Sequence, residues 1–343
     1  MDLQNAPLVT FVVPCYNSAA FMTRAVNSLL AANHPCEILL VNDGSKDDTL
    51  KIAQAYEEKH PQVRVIDQPN ANWGGAVNNG LAHARGTYFK ILDSDDYMEP
   101  EALHRVLDTL AQLVEAGTGP DLLITNYIYD HLPSGTQRLL QYRKFFPQGR
   151  IFGWDEMLGT TNDEFIMIHA TWYATRVLRA SGVELPTGVS YMDGILLLRP
   201  LPLVKTLYYL DVAPYYYAIG REGQSVDVDV IRKHIDEQLF ASELAMEITD
   251  YNELIERNPN CAELMYGYLV CMMSVSTLNL FQIGTPEALA KNDLLWRHFK
   301  ECCPQMCKRA QFSWAGLSNR RTALGRFLAL RVYSVIKRIY KLA

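Results

Sequence analysis

The chain has 343 residues, of which 49% are hydrophobic and 20% charged, and its net charge is −6. That length and apolar content can bury a sizeable core, which excludes an intrinsically disordered chain and fits one large domain with an appendage, or two domains. Charge is unevenly spread: residues 302–343 hold nine basic residues and no acid, so the first 301 residues carry −15, and an acidic body without a recognised nucleic-acid module argues against a nucleic-acid partner.

Met1-Asp2-Leu3-Gln4-Asn5 lacks the basic and apolar regions of a signal peptide, so cytoplasmic residence is expected. Seven cysteines, an odd number with no C-x-x-C pair, agree with a reducing compartment. The one dense group, Cys302, Cys303 and Cys307 with His298 nearby, reads as a metal site, a lipidation site or ordinary packed thiols.

In chain order, 8–13 is an apolar, β-branched run closed by Pro14, and 19–31 follows with helical spacing. Residues 37–41 read as a second buried strand. Asn42-Asp43-Gly44-Ser45 then turns into a helix with Ser45 as N-cap and Asp48 three residues on. Residues 63–66 give a third strand, 75–84 a helix, and 87–92 a fourth strand. This rhythm predicts a Rossmann-like, mainly parallel sheet with helices on both faces. No G-x-G-x-x-G follows the first strand, which weighs against a dinucleotide-binding oxidoreductase.

The fourth strand ends in Asp93-Ser94-Asp95-Asp96, three acids at the carboxyl end, where open α/β sheets hold ligands. Such a cluster is costly in a low-dielectric cleft unless a cation joins it; the alternative is a solvated turn with an aspartate cap. Glu99-Pro100-Glu101 opens a helix, and 121–129 is a fifth strand. Residues 131–165 loosen into hairpin-like pieces rich in glycine, proline and aromatics. Tyr191-Met192-Asp193-Gly194 precedes an apolar run, 195–198, read as a buried helix whose dipole holds Asp193 ionised, or which Asp193 simply caps. Residues 204–210 form a strand, and Gly220-Arg221-Glu222-Gly223-Gln224-Ser225 is a polar loop suited to phosphate.

Beyond 228 the pattern is helical. Residues 262–281 are apolar but interrupted by Ser274, Ser276 and Asn279, a packed helix rather than a membrane span. Residues 321–342 interleave apolar and basic positions. A basic amphipathic helix suits an anionic membrane surface; docking on its own protein or on an oligomer partner is the competing reading.

The combination of Phe11-Val12-Val13-Pro14-Cys15-Tyr16-Asn17, Leu40 to Thr49, the Asn72–Gly80 stretch and Leu92-Asp93-Ser94-Asp95-Asp96 resembles the family 2 glycosyltransferases of the GT-A fold, inverting enzymes that include many bacterial polysaccharide-building transferases. The resemblance is strong over 8–110 and extends to about 226. It implies a catalytic domain over 1–228, with a nucleotide-binding half (1–130) and an acceptor-side half (131–228), then a helical region over 229–343. It also implies that Pro14, Tyr16, Asn17 and Asp43 hold the nucleoside, with Gly75 and Asn79 on the donor side. Asp93 and Asp95 would bind Mn²⁺ or Mg²⁺, with Asp93 also contacting the nucleotide. Arg221, Gln224 and Ser225 would close over the diphosphate, and Asp193 would be the general base. Asn42 and Met192 stand where many members carry a further acid. Asp96 has a less defined role, and His169, Trp172 and Trp154 are candidates to line the sugar pocket.

The expected reaction moves a sugar from a nucleoside diphosphate donor, a UDP-sugar foremost, to a glycan or lipid-linked acceptor at the cytoplasmic face of a membrane reached through residues 320–343. A catalytically inactive, membrane-associated assembly subunit is the alternative. A nucleotidyltransferase is disfavoured because Pro14-Cys15-Tyr16-Asn17 is not a glycine-rich basic loop.

Overall fold

The structure is a computed structural model and describes residues 6–32, 34–159, 165–221, 224, 228–313, 315, 316, 319, 322 and 324–331. The chain divides into two compact units. The first comprises Met1–Asp130, Ser134–Gly159 and Met167–Ala218, and the second His131–Pro133, Thr160–Ile166 and Ile219–Ala343.

The first unit opens with β1 (Val9–Cys15), α1 (Met22–Leu30), β2 (Cys36–Asp43), α2 (Thr49–Lys59), β3 (Val63–Gln68), α3 (Asn72–His83) and β4 (Tyr88–Ile91). Then come β5 (Tyr97–Met98), α4 (Pro100–Glu115), β6 (Leu122–His131), β7 (Thr136–Leu140), β8 (Ile151–Phe152), β9 (Thr171–Ala174), α5 (Thr175–Ala180), α6 (Asp193–Leu198) and β10 (Leu207–Ile219). Among the described residues the sheet order is β3-β2-β1-β4-β9-β6-β10-β5, with β7 beside β6 and β8 beside β10. The pairs β2/β3, β1/β2 and β1/β4 are parallel. Every residue of β1 and β2 is buried, as strands covered on both faces require. Beyond β4 the sheet turns antiparallel, through β4/β9, β6/β9, β10/β5 and β10/β8. This is the α/β fold expected, with an antiparallel half that the local pattern did not announce.

Two boundaries differ from expectation. Pro14 does not close β1: it pairs with Val41 of β2, while the pairing with β4 ends at Val12. The ring therefore sits where one neighbour is missing, and its lack of an N–H interrupts no ladder there. Ser45 does not cap α2. The helix starts at Thr49, whose N–H reaches Asp47 Oδ1 at 3.1 Å, whereas Ser45 Oγ accepts the Asn17 N–H at 3.0 Å. Ser45 thus ties the first strand's exit to the second's. Pro100 takes the first helical position of α4, as expected, and Glu99 caps the helix, accepting from the Glu101 and Ala102 N–H groups.

The second unit is helical: α7 (Val228–Lys233), α8 (Ile235–Glu247), α9 (Tyr251–Arg257), α10 (Pro259–Ile283), α11 (Pro286–Cys302) and α12 (Pro304–Ala310). Asn258 and Thr285 cap α10 and α11 through the N–H groups of Cys261 and Ala288, and Gly284, at φ +71°, ends α10 in the left-handed conformation. By length and apolarity α10 alone among the described helices could cross a membrane, yet 83% of that stretch is buried within the protein, against α8, α9 and α11. Residues 324–331 are helical; the rest of the basic amphipathic segment expected at 320–343, apart from Thr322, lies outside the described residues.

Packing of α3 on β1 depends on Gly80, where an added Cβ would stand 2.4 Å from Val12 Cγ1. Gly80→Ala is expected to destabilise the protein by about 1–3 kcal/mol, because the short valine cannot withdraw. The urea midpoint measures this, and an unchanged midpoint would show that the helix lifts off without cost.

Candidate active site

The parallel strands end on one edge of the sheet, and the functional side chains gather there. At the ends of β1 and β2, Asp43 is buried and its Oδ1 accepts from Gln68 Nε2 at 2.7 Å and from the Ala71 N–H at 2.8 Å. Asn79 Nδ2 donates to Gln68 Oε1 at 2.7 Å, so Asn79 acts on Asp43 through Gln68. Asp43 Oδ2 takes no hydrogen bond among the described residues. Tyr16 follows the strand with 50% exposure, an available aromatic face. Asn17 adopts φ +48° and its side chain accepts the Lys46 N–H at 2.9 Å, so it holds the turn together. Gly75 packs inside α3, where a Cβ would lie 2.4 Å from that of Ala71; its role is close packing behind the site.

The acid turn after β4 is held from four directions. Trp73 Nε1 donates to Asp93 Oδ1 at 2.8 Å. Tyr215 donates its hydroxyl to Asp96 Oδ2 at 2.5 Å and receives the Asp93 N–H at 3.3 Å. Arg24 grips the Asp95 carbonyl at 2.8 Å, and Ser18 and Ser94 share a 2.8 Å hydroxyl contact. Asp96 is fully buried, with Oδ1 receiving the Ala218 N–H at 2.8 Å. Both its oxygens are therefore committed to the protein, which gives Asp96 a structural role.

Burial, then the Asp95 charge, pushes the Asp93 carboxyl up to about 7 against the pull of the Trp73 hydrogen bond, and Asp193 adds to the rise. Burial, then the Asp95 and Asp93 charges, holds Asp96 well above the usual carboxylate range. Asp193, the first residue of α6, thus shares one electrostatic neighbourhood with the turn. Just before it Tyr191 adopts φ +63°, a conformation costly for tyrosine that persists only where its surroundings enforce it and that clusters at functional sites.

Beneath the turn lies Lys90, fully buried in β4. Its Nζ donates to the carbonyls of Ile168, His169 and Thr171 at 3.0, 2.6 and 3.2 Å. Burial holds its amine well below the usual lysine range, while the Asp93 and Asp96 charges oppose that shift. His169, one of the predicted pocket residues, does reach the cluster: its ring stacks on Tyr217 at 4.4 Å, and one of its nitrogens lies within 4.8 Å of carboxylate oxygens of Asp93 and Asp96. Burial, then Lys90, lowers its imidazole to about 3, so it is neutral, and its buried Nδ1 has no hydrogen-bond partner among the described residues.

Trp172 and Trp154 do not line a pocket. Both are buried in the core, donating to Thr125 Oγ1 at 3.2 Å and to the Val204 carbonyl at 2.7 Å. Arg221 and Gln224 belong to the second unit, where Gln224 Oε1 accepts the Arg221 N–H at 2.9 Å; Ser225 lies outside the described residues. Sequence reasoning missed Gln68, Trp73, Lys90 and Tyr215. A lysine inside an apolar strand was the clearest available sign.

Residues 10–166 match the profile of Glycosyl transferase family 2. That segment belongs to glycosyl transferase family 2. Chondroitin synthase of Escherichia coli is 41% identical over 107 residues, 31% of this chain and only 16% of that protein's length. A Mycoplasma pneumoniae protein described as an uncharacterized glycosyltransferase is 27% identical over 225 residues, covering 64% of this chain and 70% of that one. Among solved structures, S. aureus TarS 1-349 in complex with UDP-GlcNAc superposes with a TM-score of 0.53 at 20% identity, covering 87% of this chain and 91% of TarS 1-349. The mannosyltransferase PcManGT from Pyrobaculum calidifontis, in complex with GDP-Man and Mn²⁺, gives 0.51 at 13% identity, covering 100% of this chain and 90% of its own. At those identities the likeness is one of fold, and it supports a GT-A arrangement for this chain.

The raised Asp93 carboxyl fixes the sign of a pH dependence. Between its usual 3.8 and about 7 the folded chain binds more protons than the unfolded one, and Asp96 acts in the same direction. The metal-free protein is therefore expected to lose stability as pH rises from about 4 through about 7, and Asp93→Asn to flatten that slope. Thermal midpoints across the window test this; a slope unchanged in Asp93→Asn would remove the carboxyl from the account.

Proposed function

We propose that the chain is an inverting glycosyltransferase that moves a sugar from a nucleoside diphosphate donor to a hydroxyl of a glycan or lipid-linked acceptor. The observation that carries this reading is the crowding of Asp93 and Asp95 at the carboxyl end of β4 with Asp193 in their electrostatic neighbourhood, on the same sheet edge as the partly satisfied Asp43. The protein names of two relatives, a chondroitin synthase and, in Pasteurella multocida, a hyaluronan synthase, support a glycan acceptor.

Asp43 Oδ2 accepts an N–H of the base while Tyr16 offers its ring to the nucleoside, and a uracil base presents such an N–H. A buried carboxylate that its Asp95 neighbour further repels suits a divalent cation, which fits Asp93 and Asp95 as ligands of Mn²⁺ or Mg²⁺. When bound, the ion supplies positive charge against the departing diphosphate. Trp73 and Tyr215 keep the acid turn in place for it. Asp193 takes the acceptor hydroxyl proton as that oxygen bonds to the anomeric carbon, and the bond to the diphosphate oxygen breaks with its electron pair leaving on phosphate. A positioned base of this kind contributes about 10²- to 10⁴-fold.

A nucleotide-release assay across UDP- and GDP-sugars tests the activity. Asp193→Asn is expected to lose about 10²- to 10⁴-fold in turnover while still binding UDP with Mn²⁺. Asp95→Asn is expected to lose turnover together with the Mn²⁺-dependent part of UDP binding, measured by calorimetry. Near-normal turnover in Asp193→Asn would displace it as the base.

The acceptor reading extends to an anionic cytoplasmic membrane surface. In the described part of the tail Leu324, Phe327 and Leu328 are 69%, 53% and 53% exposed, beside Arg326 and Arg331, and each basic residue near such a surface contributes about 1 kcal/mol. Co-sedimentation is expected with phosphatidylserine vesicles, reduced by Leu328→Asp and weak with zwitterionic vesicles. Equal binding to both would refute the electrostatic part.

A further inference from the structure

The helical unit brings together three side chains that the reaction above does not use. His298 and Cys302 stand one turn apart on α11, on the same face, and Glu247 ends α8 opposite them. His298 Nε2 lies 3.0 Å from Glu247 Oε1 and 3.4 Å from Cys302 Sγ, and one ligand atom from each residue falls within 4.8 Å of the other two. A single ring nitrogen can direct its hydrogen, or its lone pair, along only one line, yet here it faces an oxygen and a sulfur at once. Three donors that converge in this way surround a point rather than form a chain.

The spacing matches a metal polyhedron. Tetrahedral bonds of about 2.0–2.3 Å place neighbouring ligand atoms about 3.3–3.8 Å apart; the His298–Cys302 separation of 3.4 Å falls in that range, and the His298–Glu247 separation of 3.0 Å needs only a few tenths of an ångström of opening at a half-exposed side chain. The neighbouring Cys303 thiol is engaged elsewhere, buried with its sulfur 3.6 Å from the Met246 carbonyl, and Cys307 is buried as well. Glu247 is 55% exposed at its side chain, so an ion can enter from solvent and keep a water as its fourth ligand.

We propose that Glu247, His298 and Cys302 form a binding site for a borderline-soft divalent transition ion, Zn²⁺ foremost. Sulfur and imidazole select such an ion over Mg²⁺ and Mn²⁺, which prefer the all-oxygen environment of Asp93 and Asp95. The two sites therefore discriminate by ligand chemistry. Binding displaces the Cys302 thiol proton, which burial and the charges of Glu247 and Glu301 hold on more tightly than usual, so affinity rises with pH. The bound ion ties the end of α8 to the end of α11, closing the chain between them into a stapled helical unit.

The test uses the full chain, stripped with chelator and titrated with Co²⁺ as a spectroscopic stand-in for Zn²⁺. One equivalent is expected to give a thiolate-to-cobalt charge-transfer band that Zn²⁺ displaces and excess Mg²⁺ or Mn²⁺ does not. Cys302→Ser should abolish the band with the circular dichroism spectrum unchanged. His298→Gln should weaken Zn²⁺ binding by at least about 100-fold, more than the loss of an outer-shell partner does. Asp95→Asn should leave both signals intact, which separates this site from the acid turn. No stoichiometric band, or a band that survives in Cys302→Ser, would overturn the proposal.

Discussion

Concentrating negative charge at the end of a buried strand is the constraint on which the first unit depends. Asp93, Asp95 and Asp96 follow directly on an apolar strand, and each must be held against its neighbours' repulsion. The protein answers with Lys90 below the turn, Tyr215 beside it and the Ala218 N–H on Asp96. Three carbonyl acceptors around one Nζ suit an ammonium, which has three hydrogens to give, and Asp93 and Asp96 favour that charge against burial, which draws the amine well below its usual range. Removing such a buried lysine would leave both carbonyls and carboxylates without compensation. Lys90 therefore does two things at once: it moderates the acid turn and it fastens the segment leading into β9 to the parallel half of the sheet.

This coupling explains why the parallel and antiparallel halves form one site. The residues proposed for the nucleotide come from the ends of β1, β2 and β4, whereas the groups that steady the acids come from β10 and from the 168–171 segment. His169, wedged against Tyr215 and Tyr217 and kept neutral, fills the space below the turn without adding charge to it.

What could be read in the sequence follows from locality. Parallel strands buried on both faces are continuous apolar runs, so β1, β2 and β4 were visible, and the acid cluster was visible because three aspartates follow directly on such a run. The run after Asp193 was legible as the buried helix α6 for the same reason. Antiparallel partners drawn from 122–219 leave no comparable local mark, since pairing is decided by contacts distant in the chain. Trp73 was hidden in a glycine–asparagine stretch, and Gln68 looked like an ordinary strand end. Trp172 and Trp154 misled in the other direction: large aromatics near a presumed sugar pocket turned out to satisfy their indole N–H groups inside the core. Asp96 was legible only as an acid; its commitment to Tyr215 and Ala218 depends on a strand more than a hundred residues away.

That strand has a strict phase. Along β10, Tyr215 and Tyr217 point to the face that meets the acids and His169, while Tyr216, between them, stacks on Tyr97 at 4.9 Å on the other side. Because side chains alternate with a period of two, adding or deleting one residue within β10 ahead of Tyr215 would present the wrong tyrosine to Asp96 and carry the Ala218 N–H out of reach. Insertions are thus forbidden over 207–218 for a reason unrelated to the residues that touch substrate, whereas the exposed tip between β6 and β7 carries no such demand. Length variation among relatives of this chain should accumulate at that tip and spare the strand, so that β10 keeps its residue count even where its amino acids drift.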